Sequence, residues 1–178
     1  MSEVRMPTQK RSIEKKEKII EKGFELMCKN GYYNTNTNDI AKYAEVSTGI
    51  IYQYFNDKKE IFIEGVKNYS DNIMFPMLDV LKRKDKKFDN LEETLDEILD
   101  IFIKKHTLTK KAHEEMIALS HQDEDIAEIF LSKEITMTKQ IVEVLKENGF
   151  ECDNFLEKVH IIIGIVENYC HEIVYHKH

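Results

Sequence analysis

Residues 36–62 read NTNDIAKYAEVSTGIIYQYFNDKKEIF, and the order of polar, small and apolar residues in this stretch decides the fold. Asn36 followed by Asp39 has the spacing of a capping box, in which two side chains satisfy the free backbone N–H groups of a starting helix. Ile40, Ala41 and Ala44 then recur on one helical face. Glu45-Val46-Ser47 interrupts that pattern: Val46 is expected to fill the angle between two helices and Ser47 to cap the second. On a wheel of about 100° per residue, Thr48, Gly49, Tyr52 and Gln53 share one arc. Ile51, Tyr54 and Phe55 lie largely on the other arc, with Ile50 at the border. Asn56-Asp57 ends this helix and another begins at Lys58. Two short helices about a tight turn, the second with a polar arc, form a helix-turn-helix of the kind that enters a DNA groove.

Residues 1–10 show no periodicity and are expected to be a loose arm, with Lys10 and Arg11 able to meet phosphate. From Ser12 a helix is predicted, with Ile13, Ile20, Phe24 and Met27 inward and Asn30-Gly31 as its left-handed stop. Beyond the central stretch, a long helix is expected from Lys58 to about Arg83. Its stripe is Ile61, Phe62, Val66, Tyr69, Ile73, Met77 and Leu81, and Pro76 predicts a kink. Lys82–Lys87 is a charged connection, read as a solvated loop. Helices are then expected over Phe88–His106 (Leu91, Leu95, Ile98 and Phe102 inward), Thr109–His121 (Ala112, Met116 and Leu119 inward) and Asp123–Asn148. A last helix is capped by Asp153. No strand-like alternation or internal repeat is present. The expectation is all-α: a three-helix DNA-binding domain with its arm at 1–57, then a larger helical-bundle regulatory and dimerisation domain at 58–178.

Composition agrees. Of 178 residues, 42% are hydrophobic and 33% charged, which suits a folded helical protein rather than a disordered one. The run Val159–Val166 contains His160 and is far too short to cross a bilayer. No signal-type segment opens the chain, so the expected address is the cytoplasm, with no membrane partner. Cys28, Cys152 and Cys170 are widely spaced, without metal-type pairing, and are expected to be reduced packing residues. The net charge of −7 hides an asymmetry: residues 1–60 carry +2 and residues 61–178 carry −9. Phosphate binding follows local charge, so this permits a DNA-facing end and an acidic body.

Gly31-Tyr32, Thr35–Ala41, Ala44–Ser47, Gly49–Phe55 and Lys58–Phe62 together closely resemble the N-terminal domain of the TetR family of transcriptional regulators, over about residues 12–65. The resemblance implies a homodimer, expected to be a repressor, whose third helices enter successive major grooves of a palindromic operator. It implies phosphate contacts from Asn36 (usually Thr in the family), Ser47, Tyr52, Tyr54 and Lys58. It places Thr48, Gly49 and Gln53 toward the bases, where Gln53 could pair with adenine in a bidentate manner. It also implies a small-molecule effector of unknown identity. Glu45 departs from the family, whose turn usually has glycine there; a left-handed glutamate would cost on the order of 1 kcal/mol. The family commonly ends in two helices that build a four-helix dimer interface, whereas this chain stops at His178, in or just after the first. Either a final helix lies outside this chain, or the dimer rests on one helix and its neighbours.

The last helix is apolar almost all round and so needs cover on two sides. Phe155, Val159, Ile162, Val166, Tyr169 and Ile173 are its expected dimer contacts. Phe75, Met77, Phe102, Met116 and Phe130, with His113, are expected either to pack the body or to line an effector pocket, a use suited to adaptable side chains. His160, Gly164, Glu167 and His171 form one polar line along the last helix. Glu157 and His160 make an isolated Glu-x-x-His; a di-iron bundle needs two such pairs and two further glutamates, so no metal site is assigned. No cofactor is expected, and no catalytic constellation or phosphate-cradling glycine loop is present, so the chain is not expected to be an enzyme. Two other readings stay open at this point. A bundle metalloprotein would carry stoichiometric metal, and a dimeric module acting through protein contacts would tolerate loss of Tyr52 and Lys58.

Overall fold

The computed structural model describes residues 10–83, 91–106 and 108–176, without the side chain of Leu91. Residues 1–9 of the expected arm, 84–87 of the charged connection, Phe88 and His178 lie outside the described residues. Among the described residues there are eight helices and no strand: α1 Lys10–Asn30, α2 Thr37–Tyr43, α3 Thr48–Tyr54, α4 Lys58–Leu81, α5 Leu91–Lys105, α6 Lys110–Gln122, α7 Glu124–Glu147 and α8 Phe155–His176. No helix among them is long and apolar enough to cross a membrane. The all-α expectation holds.

The helices divide into two compact units. The first runs to Tyr69 and takes in Leu108–Ile126; the second comprises Ser70–Thr107 and Ala127–His178. The division falls inside α4 rather than at the expected boundary between Asp57 and Lys58. The reason is packing. The first turns of α4 bury Ile61, Phe62 and Val66, and a Cβ built on Gly65 would lie 2.5 Å from the ring of Phe24 in α1. These turns are therefore part of the first core. α6 joins it as well, packing on α1 with Ala112, Met116 and Leu119 buried.

In the first unit, α1 buries Ile19, Ile20, Phe24, Leu26 and Met27, whereas Ile13 is 41% exposed. The inward stripe thus begins later than expected, and α1 begins earlier, at Lys10. Gly31 ends α1 with φ of +97°; its N–H donates to Met27 O at 2.9 Å. α2 opens with the complete capping box: Asn36 Oδ1 accepts from the N–H groups of Asn38 and Asp39, and Asp39 Oδ2 accepts from Asn36 N–H.

α2 stops in a Schellman turn. Val46 N–H donates to Ala41 O at 2.9 Å and Glu45 N–H to Lys42 O at 3.2 Å, which puts Glu45 in the left-handed position. Its φ is +56°, and its carboxylate holds Lys18 at 2.9 Å. A glutamate there is strained where a glycine is not. Glu45→Gly is expected to raise stability by up to about 1 kcal/mol, since the strain relieved exceeds the worth of one exposed ion pair. A urea melt reads the shift; an unchanged or lower midpoint would contradict the strain.

In the second unit, α4 runs unbroken past Pro76, which removes one backbone donor but does not end the helix. α5 buries Ile98 and Phe102 while Leu95 stays 38% exposed. α7, whose residues to Ile126 belong to the first unit, is capped by Asp123, whose Oδ1 accepts from Asp125 and Ile126 N–H. It ends in a second Schellman turn at Gly149, φ +84°, with Phe150 N–H reaching Leu145 O at 3.1 Å. α8 begins at Phe155 after a left-handed Asn154, so Asp153 lies one residue too early for the cap expected of it. Lys133 pairs with Asp71 and Arg83 with Glu97, tying α7 to α4 and α5 to the end of α4.

Candidate functional site

The short helix α3 separates its two arcs cleanly. Ile51 is fully buried, Phe55 is 2% and Tyr54 8% exposed, so one side is fixed in the core. Ser47, which accepts from Ile50 N–H at 3.3 Å, opens the helix. On the other side Gly49, Tyr52 and Gln53 are exposed and Thr48 is half-buried. Thr48 Oγ1 donates to Asn38 Oδ1 at 3.0 Å. That bond joins the reading arc to α2 and adds Asn38, an exposed side chain that the sequence reading left out. Nothing in the spacing of Asn38 marks it; only the crossing of the two helices brings it to Thr48.

Two expected phosphate contacts already have partners within the chain. Tyr54 is buried, and its hydroxyl shares a 2.7 Å, part-buried hydrogen bond with Ser12 Oγ, which braces α1 against α3. Lys58 Nζ donates to Tyr32 O at 2.6 Å and Thr35 O at 2.8 Å and sits 4.3 Å from the Tyr32 ring centroid. Partial burial lowers its pKa. Two of its three ammonium hydrogens are thus used to close the loop between α1 and α2. Asn36 and Ser47 are exposed and already serve as helix caps.

The second unit holds a cavity of about 410 Å³, a size that suits a small organic ligand. Met77, Ile98, Met137, Val159, Val166 and Glu167 are among its walls. Of the expected pocket residues only Met77 lines it. Phe75 is 53% exposed, Phe102 is buried against His106 at 4.7 Å between centroids, and Phe130 is half-buried outside the lining. His113 and Met116 belong to the first unit. A stripe of aromatic and methionine residues shows which side of a helix is inward, but not which inward residues face a void.

α8 is likewise redistributed. Val159 is buried, and Val159, Ile162 and Val166 line the cavity within the chain. Phe155 packs beside the small cluster of Val142, Val159 and Ile163. The face left uncovered is Ile161, Ile162, Ile165 and Tyr169, each more than half exposed, with Ile173 at 37%. Ile161 and Ile165 were not among the expected contacts. His160 Nε2 stands 3.5 Å from Glu134 Oε1, and His171 stacks on Tyr175; the polar line of α8 is therefore split among different neighbours.

Comparison with known proteins bears on this geometry. Residues 19–64 match the family model of bacterial regulatory proteins, tetR family. An HTH-type transcriptional regulator in the lacX 3′ region of Lactococcus lactis subsp. lactis is 30% identical over 155 residues, covering 85% of this chain and 79% of that protein. The chain belongs to the TetR family. HTH-type transcriptional regulator HbdR of Aromatoleum sp. (strain CIB) is 45% identical over 58 residues, 33% of this chain but only 25% of HbdR's own length. In structure, a TetR-family transcriptional regulator from Mesorhizobium loti MAFF303099 superposes with a TM-score of 0.73 at 18% identity, over 93% of this chain and 86% of that one, which speaks for the fold. TetR-family proteins are DNA-binding regulators of transcription and not enzymes.

Proposed function

We propose that this TetR-family protein is a cytoplasmic, homodimeric repressor that reads a palindromic operator through α3 and leaves it when a small ligand binds the second unit. The observation that carries the reading is the outer arc of α3. Gly49 has only Ser47 Oγ, at 3.9 Å, near the position a Cβ would take, so nothing in the chain itself requires a glycine there. A surface that approaches from outside does. Gln53 and Tyr52 flank it, exposed and free to meet a base edge and a phosphate. The uncovered apolar face of α8 supports the dimer, and the cavity supports the ligand.

Ligand release is a two-state argument. α4 is one helix belonging to both units, so a ligand that prefers one of its arrangements biases the spacing of two reading helices. A ligand without such preference changes nothing, however tightly it binds. Gel-shift titration against the DNA upstream of its own gene tests the reading at moderate salt. Sequence-specific binding is expected, and Gln53→Ala should weaken it by about 1–3 kcal/mol, the worth of one bidentate base contact. Equal affinity for operator and scrambled DNA would end the proposal.

A further inference from the structure

The cavity of the second unit has one ionisable wall residue. Among its described lining residues every other side chain is apolar except Thr94, and none is basic. Glu167 projects from α8 into this wall, half-buried, and among the described residues no side chain donates a hydrogen bond to its carboxyl. The charged groups that act on it are Glu134 from α7, which opposes its ionisation, and His160, which favours it. The Cys170 thiol on α8 is also affected by it. A carboxyl so placed loses water and gains no hydrogen-bond donor in return, which is costly for a buried polar group. We infer that the cavity is a site for a lipophilic amine, a molecule with an apolar body and one cationic nitrogen held by Glu167. This rests on the ligand reading above.

Charge decides between ligand classes. An apolar body is accepted by the walls whatever its head group, since Met77, Ile98, Met137 and Val159 discriminate only shape. An anionic head would find no cation in the lining and would meet the carboxylate, with Glu134 behind it. A neutral head would leave the carboxylate uncompensated. A cationic head supplies the missing partner inside a poorly solvated wall, where a charge-assisted hydrogen bond is stronger than at the surface. Burial, reinforced by Glu134, pushes the Glu167 carboxyl up to about 7, so the ionised form that holds a cation is favoured above neutrality.

The test uses three ten-carbon probes on the full chain: decylamine, decanol and decanoate, with affinity measured by calorimetry. Decylamine is expected to bind at least tenfold more tightly than either other probe at about pH 8, and its lead over decanol should shrink toward about pH 6 as Glu167 takes up a proton. Glu167→Gln should abolish the lead and its pH dependence while leaving decanol unchanged, which separates Glu167 from His160. Leu95→Trp, at a half-open wall position, should weaken all three. Equal or tighter binding of decanol or decanoate, an undiminished lead in Glu167→Gln, or no binding of decylamine would each overturn the inference. Operator binding measured on the same preparations keeps the two proposals apart. Intact DNA binding with a failed amine test removes only this site, whereas amine binding without specific DNA binding removes the regulator reading and leaves the site.

Discussion

Gly65→Ala is expected to destabilise the first unit by about 2 kcal/mol, the cost of overpacking less the helix propensity that alanine adds. The added methyl would lie 2.5 Å from Cβ, Cγ and Cδ2 of Phe24. That ring cannot swing away freely, because Phe62 and Tyr69 stand 5.6 Å and 6.1 Å from it between centroids. Gly23 is the counterpart on α1, where a methyl would meet Ile61 at 2.6 Å and Ile40 at 3.1 Å. Gly164 in α8 has nothing within 4 Å, so Gly164→Ala should instead stabilise by a few tenths to about 1 kcal/mol. Urea melts of the two variants should move in opposite directions. If both move the same way, close approach of α4 to α1 is not what holds the first unit together. The wider consequence is functional: α3 is braced by this same core, so a shifted α4 start should also disturb DNA binding.

Paired substitution of Ile161 and Ile165 by glutamate is expected to turn the proposed dimer into a monomer, with at least a ~100-fold loss in self-association, the scale of a disrupted interface centre. Both side chains are more than 60% exposed in the single chain, so the fold of each unit should be untouched and the thermal melt of the monomer should change little. At an interface they would be desolvated, and two carboxylates placed there without partners are strongly unfavourable. Sedimentation velocity distinguishes the outcomes. A wild-type chain that is monomeric at micromolar concentration, or a variant that remains dimeric, would show that this face of α8 is not the contact. Under the operator reading, the variant should also lose most of its specific DNA affinity, because one reading helix contacts only a half-site.

The difference between what was legible early and what was not follows the range of the forces involved. Caps, turns and amphipathic faces are set by residues a few positions apart. Asn36 with Asp39, Ser47 before α3 and the buried Ile51 and Phe55 could therefore be read directly from their order, whereas the left-handed φ of Glu45 is a finding of the structure. The same holds for the resemblance to the TetR family, which rests on that local order. The wheel places Tyr54 on the inner arc, but its hydroxyl bond to Ser12 escaped that reading, because the two residues are 42 positions apart. So did the use of Lys58 on the carbonyls of Tyr32 and Thr35, which depends on where α4 meets the loop after α1.

The sequence by itself determined that this is an all-α protein with a helix-turn-helix near its start, and which residues of α3 face outward. Periodicity of 3.6 residues per turn and short-range capping suffice for that. Only the tertiary structure decided which apolar residues enclose a cavity and which stay uncovered. Val159 and Ile161 differ by two positions on α8, yet one is 4% and the other 61% exposed. Likewise, only packing set Glu167 against a wall with no cation. Packing is a many-body outcome of several helices meeting at once, and no single helix carries it in its own pattern.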